Sequence, residues 1–571
     1  MNQSNRPWYR ELNRYHWFVF IVAALGWLFD TMDQQLFNLA RVPAMQELLG
    51  KDGAPASPDA VNQFGPWATS IFLMGWATGG LLFGVLGDRF GRAKVMMWTI
   101  LVYSVFTGIS AFSTSFWDFA LWRFLTGLGV GGEFAVGVAL VAEVMPDRAR
   151  PFALGLLQAL SAVGNISAAL ISLGLGEYED TLGIGSWALL GFKMTRWRIM
   201  FLIGTVPALL CIVIRQRLKE PERWQKASHD DAATKAWNLY QQLFADPLWR
   251  KRALLGMVLA SAGVIGLWGI GFFAIDLNLS VFRKVFQQES RVAGEAVRDQ
   301  ALIRAVVANP ALLSDKLAGL KSTDLLSLEP GQRDAAVVWD AIRDLHKQGS
   351  PIDTDSILGW LDKADPDKKR EAQSAADRER RSAYLSSAVG ESTDVEQHLE
   401  RIGKRSKDLG KRVTRWGAIT SLVLNVGAFF GIYGFSLLAD KLGRRLSFAI
   451  AFVAAGVSTA FVFLRINSTN DVFWMIPIMG FCQLSLFGGY AIYFPELFPT
   501  RLRSTGTSFC YNVGRFIAAI GPFTLGALAT RVFQNSPEPY RPAGALMCLV
   551  FLVGIAVLPF CPETKNQPLP E

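Results

Sequence analysis

The sequence predicts an all-α membrane protein in which twelve transmembrane helices form two six-helix halves, with a helical insertion outside the membrane. Three observations predict this fold. Hydrophobic residues make up 51% of the 571 residues and charged residues only 18%. Twelve apolar stretches approach the ~20 residues that a helix needs to cross the hydrocarbon core. Of the 105 charged residues, 45 lie within residues 279–413, so the rest of the chain is depleted of charge.

The twelve predicted spans are divided six and six by the polar segment 216–251. Several are rich in glycine, which lets membrane helices pack closely together. The predicted ranges are 17–40, 65–87, 94–113, 117–145, 151–175, 198–215, 252–278, 416–439, 447–464, 472–495, 505–531 and 543–561.

The orientation follows from the basic residues, because short cytoplasmic loops of membrane proteins carry an excess of Lys and Arg. With both termini inside, the inner short segments hold 23 Lys and Arg, and the outer short loops hold about eight. We therefore expect a multi-pass protein of the inner or plasma membrane with both termini in the cytoplasm. The predicted regions are a six-span bundle (1–215), a cytoplasmic loop (216–251), span 7 (252–278), a non-cytoplasmic insertion (279–413), and spans 8–12 with a short tail (414–571).

The insertion 279–413 is too polar to cross a bilayer. Its apolar residues Val338, Ile342 and Leu345 have helical spacing. This pattern predicts a small helical domain or a pair of long helical hairpins. One hypothesis is that the insertion binds an extracytoplasmic partner of unknown identity.

Composition and motifs exclude several other classes of protein. The net charge of +9 lies mostly in short loops, so it indicates membrane orientation and not nucleic-acid binding. The five cysteines lie in or beside apolar stretches, and their spacing indicates neither a disulfide framework nor a metal site. The chain has no G-x-x-x-x-G-K-[ST] sequence for ATP and no recognisable catalytic constellation. We therefore expect no metal, no cofactor and no enzymatic activity.

One motif occurs twice, after the second span of each half. Gly84–Met96 reads GVLGDRFGRAKVM, and Gly434–Phe448 reads GFSLLADKLGRRLSF. Each copy places an Asp and an Arg-rich turn at a cytoplasmic helix junction, where ion pairs can hold one conformation of the bundle. A motif repeated at equivalent positions indicates an internal repeat. The predicted gate residues are Gly84, Asp88, Arg89, Gly91, Arg92, Asp440, Gly443, Arg444 and Arg445.

Together with three further stretches, these motifs resemble the major facilitator superfamily, particularly its metabolite:proton symporter and sugar-porter branches. Arg123–Arg150 is similar to the family pattern R-x-x-x-G-x-G-x-G-G followed by E-x-x-P-x-x-x-R. Tyr493–Gly506 resembles P-E-x-x-P-T-x-x-R, and Cys561–Lys565 resembles the terminal P-E-T of sugar porters. The resemblance covers about 435 residues, all outside the insertion. It implies a transporter fold and adds four residues to the gate: Glu143, Arg150, Glu496 and Arg503.

Buried charges in the first half mark a candidate proton site, since an ionisable residue in a span costs at least ~2.5 kcal/mol. Asp30 and Asp33 share one face of span 1. Their D-x-x-D spacing resembles the first span of phosphate, aromatic-acid and sialic-acid proton symporters, which implies that at least one aspartate carries protons. The resemblance to sugar porters also implies that an aspartate of span 1 is coupled to Arg123, which lies at matching depth in span 4 and so belongs to the candidate proton site. Alternatively, one aspartate only forms a structural ion pair with Arg123. Glu133 near mid-membrane has either a proton or substrate role or a purely structural one.

The candidate substrate site rests on Arg515 in span 11. A guanidinium keeps its charge and binds a carboxylate or phosphate in fork geometry, so an anionic substrate is one interpretation. The alternatives are pairing with another span or extension towards the interface. Three uncharged residues are further candidate cavity contacts, although such residues also serve in packing: Gln158, Trp268 and Asn425.

We predict a secondary active transporter that imports a small organic acid or another small anion together with protons. The resemblance implies alternating access around a site between the two halves. The expected partners are a small-molecule substrate, protons and the lipid bilayer. The alternatives are a sugar porter, a proton antiporter that exports a drug or metabolite, and a transporter-like sensor that signals through the insertion. Paired gate motifs with buried carboxylates favour transport over sensing, and the D-x-x-D spacing favours uptake.

Overall fold

The computed structural model describes residues 8–50, 56, 58–179, 181–222, 224–225, 238–292, 294–328, 334–364, 379–383, 385, 394–518, 520–534, 536 and 538–570. They form two units. The first contains Met1–Asn278 and Gly417–Glu571, and the second contains Leu279–Trp416.

The described residues are mainly helical, with one short antiparallel hairpin of strands β1 (Ala188–Leu189) and β2 (Phe192–Lys193). The α-helices are α1 (Arg14–Leu48), α2 (Pro58–Phe90), α3 (Arg92–Ser110), α4 (Phe116–Val144), α5 (Arg150–Glu177), α6 (Arg196–Ile203), α7 (Leu210–Arg217), α8 (Asn238–Ala245), α9 (Pro247–Val264), α10 (Phe272–Val292), α11 (Glu295–Ala308), α12 (Asp315–Ala318), α13 (Asp334–Lys347), α14 (Thr354–Ala364), α15 (Val395–Leu442), α16 (Arg444–Arg465), α17 (Val472–Leu497), α18 (Arg503–Ala518), α19 (Gly521–Ala527), α20 (Tyr540–Met547) and α21 (Val550–Val557). Short 3-10 turns occupy Trp8–Glu11, Val206–Leu209, Pro310–Leu312, Ser322–Asp324, Thr500–Leu502 and Leu558–Phe560, and π-helical turns occupy Ile265–Gly271 and Leu528–Val532.

Ten helical stretches in the described ranges are long and apolar enough to cross a membrane, as a multi-pass membrane protein requires. They correspond to ten of the twelve predicted spans. The other two predicted spans do not form single long helices within the described ranges. In 198–215, α6 ends before Gly204 and a 3-10 turn containing Pro207 precedes α7, because proline cannot donate the backbone hydrogen bond of a continuous helix. In 505–531, α18 ends at Ala518 and α19 begins at Gly521; Ile520 forms a turn, and residue 519 lies outside the described residues.

Polar residues before the apolar runs define where two spans begin. At α1, the Asn13 side chain accepts a hydrogen bond from the backbone N–H of His16 at 2.8 Å, and the His16 ring accepts one from Asn13 N–H. Ser115 and Asp118 form the same reciprocal arrangement at the start of α4. These capping boxes satisfy backbone donors that a helix start leaves unpaired.

Glycine lets two pairs of helices approach each other backbone to backbone. A Cβ atom on Gly79 of α2 would overlap the carbonyl of Leu128 in α4, and one on Gly431 of α15 would overlap the carbonyl of Phe481 in α17. Each of these glycines lies nine residues before the aspartate of its motif copy. The same close packing therefore occurs at equal distances in sequence from the aspartates of the two motif copies.

We expect Gly79→Ala to destabilise the fold by about 1–3 kcal/mol, because the added methyl group meets a helix backbone that cannot yield without separating α2 from α4. The control is Gly174→Ala in α5, where no described atom lies within 4 Å of the added Cβ. Thermal unfolding of the purified variants in detergent measures the difference. Equal melting temperatures for the two variants would contradict the packing argument.

The second unit, Leu279–Trp416, has an apolar core of its own, built mainly by α11, α13 and α14. Trp339 and Ile342 at its centre are fully buried. Arg405 on α15 binds Asp299 on α11 at 2.6 Å. Burial raises the pKa of Asp299, although Arg405 opposes this effect. The segment predicted as a helical insertion is thus a helical unit with its own core.

Candidate functional site

A cavity in the first unit is lined by residues of α1, α2, α5, α15, α17 and α18 and by the π-helical turn Ile265–Gly271. Gln158, Trp268, Asn425 and Arg515, the four predicted substrate contacts, all line it. The cavity has a volume of about 90 Å³. Its size therefore suits a small metabolite.

Arg515 supplies a positive charge to this cavity. Its guanidinium carbon lies 3.8 Å from the centre of the Trp76 ring and 4.2 Å from that of Tyr511. The guanidinium donates a hydrogen bond to the Asn512 side chain, while its Nε has no hydrogen-bond partner among the described residues. Cation–π contacts with two rings hold the group in a fixed orientation without neutralising its charge. The arrangement can bind an anion.

The remaining cavity walls combine aromatic rings with side-chain amides. The Trp76 and Trp268 rings meet edge to face, with their centres 5.1 Å apart. Gln35 of α1 donates to Ser421 Oγ of α15 at 2.9 Å, and Asn165 of α5 donates to Asn425 of α15 at 2.8 Å. The other aromatic and amide residues of the walls are Trp27, Phe487, Tyr511, Gln34, Asn38 and Gln158. Flat rings and amide groups suit a small planar molecule with polar ends.

The predicted proton-site carboxylates Asp30, Asp33 and Glu133 do not belong to the cavity lining and are completely or almost completely buried. Asp30 interacts electrostatically with both Glu133 and Asp33. Glu133 Oε2 accepts a hydrogen bond from the Thr99 hydroxyl at 2.8 Å. The structure thus brings the three carboxylates into one cluster beside the cavity.

Arg123 faces this cluster and is held independently of it. Its guanidinium donates to Ser110 Oγ at 2.6 and 3.1 Å and lies 4.5 Å from the centre of the Phe201 ring. Its Nη1 lies 3.9 Å from Asp33 Oδ2, and neither atom has a hydrogen-bond partner within the described part of the chain. The Asp33–Arg123 ion pair is therefore loose. Arg123 can keep its position when Asp33 gains a proton.

Two members of the site were not identified from sequence. Gln34 lines the cavity and donates from Nε2 to Asp30 Oδ2 at 3.4 Å. Tyr103 of α3 is fully buried, and its hydroxyl interacts electrostatically with Asp30, Asp33 and Glu133. The spacing of four residues between Asp30 and Gln34 is a usable sequence signal, since such residues are neighbours on a helix. Tyr103 offers no such signal because only the packing of α3 places it near the cluster.

The first gate copy forms a buried ion-pair network. Asp88 binds Arg92 at 2.7 Å, Arg92 binds Glu143 at 3.0 Å, and Glu143 binds Arg503 of α18 at 3.2 Å. Asp88 also accepts hydrogen bonds from the backbone N–H and hydroxyl of Thr505, at 2.7 and 2.6 Å. This network joins α2, α3 and α4 to the start of α18.

The second copy repeats part of this arrangement. Arg444 binds Glu496 at 2.7 Å, and Glu563 accepts from the backbone N–H groups of Arg444 and Arg445 at 2.9 and 3.1 Å. Burial alone would raise the pKa of Glu563, but these backbone donors hold it below its usual value. Asp440 differs from its counterpart because it is exposed to solvent.

The other predicted gate residues have varied environments. Gly91 and Gly443 have φ values of +108° and +87°, a conformation that favours glycine at these turns. Gly84 packs against the Ser508 side chain of α18. Arg89 is exposed and lies over the Phe90 ring, and Arg150 pairs with the nearby Asp147.

Comparisons with known proteins agree with this architecture. The sequence profile of the Major Facilitator Superfamily matches residues 22–297 and 404–571. The "Probable 4-methylmuconolactone transporter" of Cupriavidus pinatubonensis is 24% identical over 562 residues, covering 98% of this chain and 93% of that protein. The "Cis,cis-muconate transport protein" of Acinetobacter baylyi is 22% identical over 464 residues, covering 81% and 77%. The solved proton:xylose symporter XylE from E. coli, bound to 6-bromo-6-deoxy-D-glucose, shares the fold with a TM-score of 0.53 at 15% identity, covering 97% of this chain and 98% of that one.

Proposed function

The chain belongs to the Major Facilitator Superfamily, and from this premise we propose that it imports a small organic acid together with protons. Membership makes the chain a membrane transporter of small molecules and not an enzyme. The observation that carries the proposal is Arg515. This buried guanidinium lines a small cavity beside a cluster of three buried carboxylates.

In the proposed architecture, twelve membrane helices form two six-helix halves. The first half is 1–215, and the second consists of 252–278 together with 414–571. The cytoplasmic loop 216–251 joins the two halves. Two similar arginine contacts, at the ends of α3 and α16 opposite the gate motifs, support this division into two equivalent halves. Arg198 donates to the carbonyls of Ala111 and Ser113 after α3, and Arg541 donates to those of Phe463 and Ile466 at the end of α16. Both termini would lie in the cytoplasm and the insertion 279–413 outside it, in an inner or plasma membrane.

The proposed substrate is a planar carboxylic acid. Arg515 would bind its carboxylate in fork geometry, and the Trp76, Trp268 and Tyr511 rings would contact its plane. The amides of Gln158 and Asn425 would bind the polar group at the other end. The name of the A. baylyi relative supports this class, because cis,cis-muconate is a planar unsaturated acid.

Charge balance supports coupling to protons. Among the described residues, the cluster and cavity contain the carboxylates Asp30, Asp33 and Glu133 but only the cations Arg123 and Arg515. An acid substrate adds further negative charge in a poorly hydrated region, where an unbalanced charge is costly. A proton that enters with the substrate offsets this charge.

In the proposed cycle the two halves rock around the cavity. A carboxylate of the cluster takes a proton from outside, which weakens the loose pair between Asp33 and Arg123, and the acid then binds Arg515. Closure above the substrate is followed by separation of the cytoplasmic ion pairs and release of acid and proton inside. The closed network between Asp88 and Thr505 suits the stage before that separation.

Uptake into proteoliposomes tests the proposed function directly. Radiolabelled cis,cis-muconate and 4-methylmuconolactone are compared with xylose, a neutral sugar, with and without an imposed acidic exterior. We expect the acid gradient to drive accumulation of muconate but not of xylose. Gradient-driven accumulation of xylose alone would refute the acid-symporter proposal.

Arg515→Lys should raise the apparent KM for muconate by at least about tenfold, because it keeps the charge but loses the two-pronged hydrogen bonding, worth about 1.4 kcal/mol or more. Arg515→Gln should have a larger effect because it also removes the charge. Initial rates of uptake at several substrate concentrations measure both. Arg531→Gln serves as control, since Arg531 is an exposed arginine of the same predicted span. Equal KM values for Arg515→Gln and the control would make Arg515 a structural residue.

A further inference from the structure

Gln34 contacts both the cavity and the carboxylate cluster. Its side chain lines the cavity, whereas Asp30, one turn earlier on α1, does not. The Gln34 amide donates to Asp30 Oδ2 at 3.4 Å. A side-chain amide can turn about its terminal bonds, so this donor can be redirected towards a molecule in the cavity.

Few groups stabilise the charged form of the Asp30 carboxylate. The charged and titratable groups that face it are Asp33 on its own helix, Tyr103 on α3, Glu133 on α4, and Tyr511 and Arg515 on α18. Its Oδ1 has no hydrogen-bond partner in the described ranges. Loss of the Gln34 donor would therefore leave the charged carboxylate poorly stabilised.

We propose that Gln34 couples substrate binding to proton binding, by donating either to the charged Asp30 or to an acid in the cavity. When the acid takes this amide, Asp30 loses its donor and a proton binds there more readily. A proton on Asp30 in turn releases the amide for the acid. This inference rests on the proposed proton-coupled function, and it assigns to Gln34 a positioning role with respect to Asp30.

The coupling is reciprocal, as linkage requires, and typical couplings change affinity by about 5- to 150-fold. Lower external pH should therefore strengthen the binding of muconate to the wild-type protein. Gln34→Met keeps the length of the side chain but removes the amide. We expect this variant to exchange muconate in the absence of a pH gradient but to lose gradient-driven accumulation, and we expect its muconate affinity to vary little with pH.

Gln35→Met is the matched control. Gln35 is the next residue on α1 and lines the same cavity, but its amide donates to the Ser421 hydroxyl and not to a carboxylate. This variant should bind muconate more weakly and still accumulate it to the wild-type ratio. Equal loss of gradient-driven accumulation in both variants would overturn the inference, because the Gln35 amide donates to a hydroxyl and not to a carboxylate.

The assay uses the full-length chain in proteoliposomes with labelled muconate, with an imposed gradient and in counterflow. If the wild type accumulates muconate and Gln34→Met accumulates it equally, the inference is overturned but the proposed function stands. Absence of gradient-driven accumulation by the wild type would overturn the proposed function and the inference with it. If Gln34→Met elutes as an aggregate, Gln34→Asn replaces it, with the same loss expected because its shorter amide cannot reach Asp30. Accumulation by that variant at the wild-type ratio would equally overturn the inference.

Discussion

Asp30→Asn and Asp33→Asn should each abolish the accumulation of acid against its concentration gradient, while exchange without a gradient survives in at least one of them. Both aspartates are fully buried, and neither lines the cavity, so substrate can still bind when they are neutral. Arg123 is held by Ser110 and the Phe201 ring, so its position does not depend on Asp33. With the membrane potential clamped at zero, an imposed gradient of one pH unit corresponds to about tenfold accumulation for one proton per substrate, and the variants should only equilibrate.

Asp408→Asn is the control for this experiment. Asp408 is an exposed aspartate of the second unit, so its neutralisation removes the same charge without touching the cluster. It should accumulate muconate like the wild type. If Asp30→Asn and Asp33→Asn both accumulate muconate to the wild-type ratio, the first span does not carry the proton. Glu133 then becomes the remaining carboxylate of the cluster.

The fold was predictable because its main determinants are local. Apolar runs of sufficient length marked the spans, and a capped start such as Asn13–His16 is a short-range signal. The interruption of 198–215 was harder to predict. Its hydropathy resembles that of a continuous span, although Gly204 and Pro207 permit a break. Whether a helix bends or breaks at such residues depends on the neighbouring helices, which a single span does not reveal.

The candidate site was predictable only in part. Arg515 was singled out because a buried guanidinium requires a partner, and the structure places it in the cavity. Its contacts with Trp76 and Tyr511 could not be predicted, because Trp76 lies far away in sequence. Gln34 follows Asp30 by one helical turn, but the sequence does not show that its side chain also lines the cavity.

The two gate motifs illustrate a further limit, because the sequence presents Asp88 and Asp440 as equivalents. The structure distinguishes them: Asp88 is buried and Asp440 is exposed. Asp88 accepts from the backbone N–H groups of Ser504 and Thr505 at the start of α18. In the proposed two-half architecture, the helix that corresponds to α18 is α5, which begins Arg150-Pro151-Phe152. Proline has no N–H to donate, and phenylalanine has no hydroxyl.

Asp88→Asn should therefore shift the protein strongly towards the state with an open cytoplasmic side, whereas Asp440→Asn should have little effect. Breaking a buried ion pair costs about 3–5 kcal/mol, against about 0–1 kcal/mol for an exposed charge. Even 3 kcal/mol changes the ratio of two conformations by more than about a hundredfold. Thr507→Cys reports the change through its rate of thiol labelling, because Thr507 is fully buried on α18, two residues after Thr505.

The comparison requires four proteins that all carry Thr507→Cys: the otherwise wild-type chain, Asp88→Asn, Asp440→Asn and Thr505→Val. Thr505→Val removes one hydroxyl donor to Asp88 but leaves the Asp88–Arg92 ion pair, so its labelling rate should be intermediate. Labelling of the native cysteines, measured without Thr507→Cys, is subtracted. An equal increase in Asp88→Asn and Asp440→Asn would show that the two copies contribute alike. We expect the labelling rate to be highest in Asp88→Asn, intermediate in Thr505→Val and lowest in Asp440→Asn. Because Thr505 binds Asp88 and lies on a different helix, this order would place the closing contact between α2 and α18.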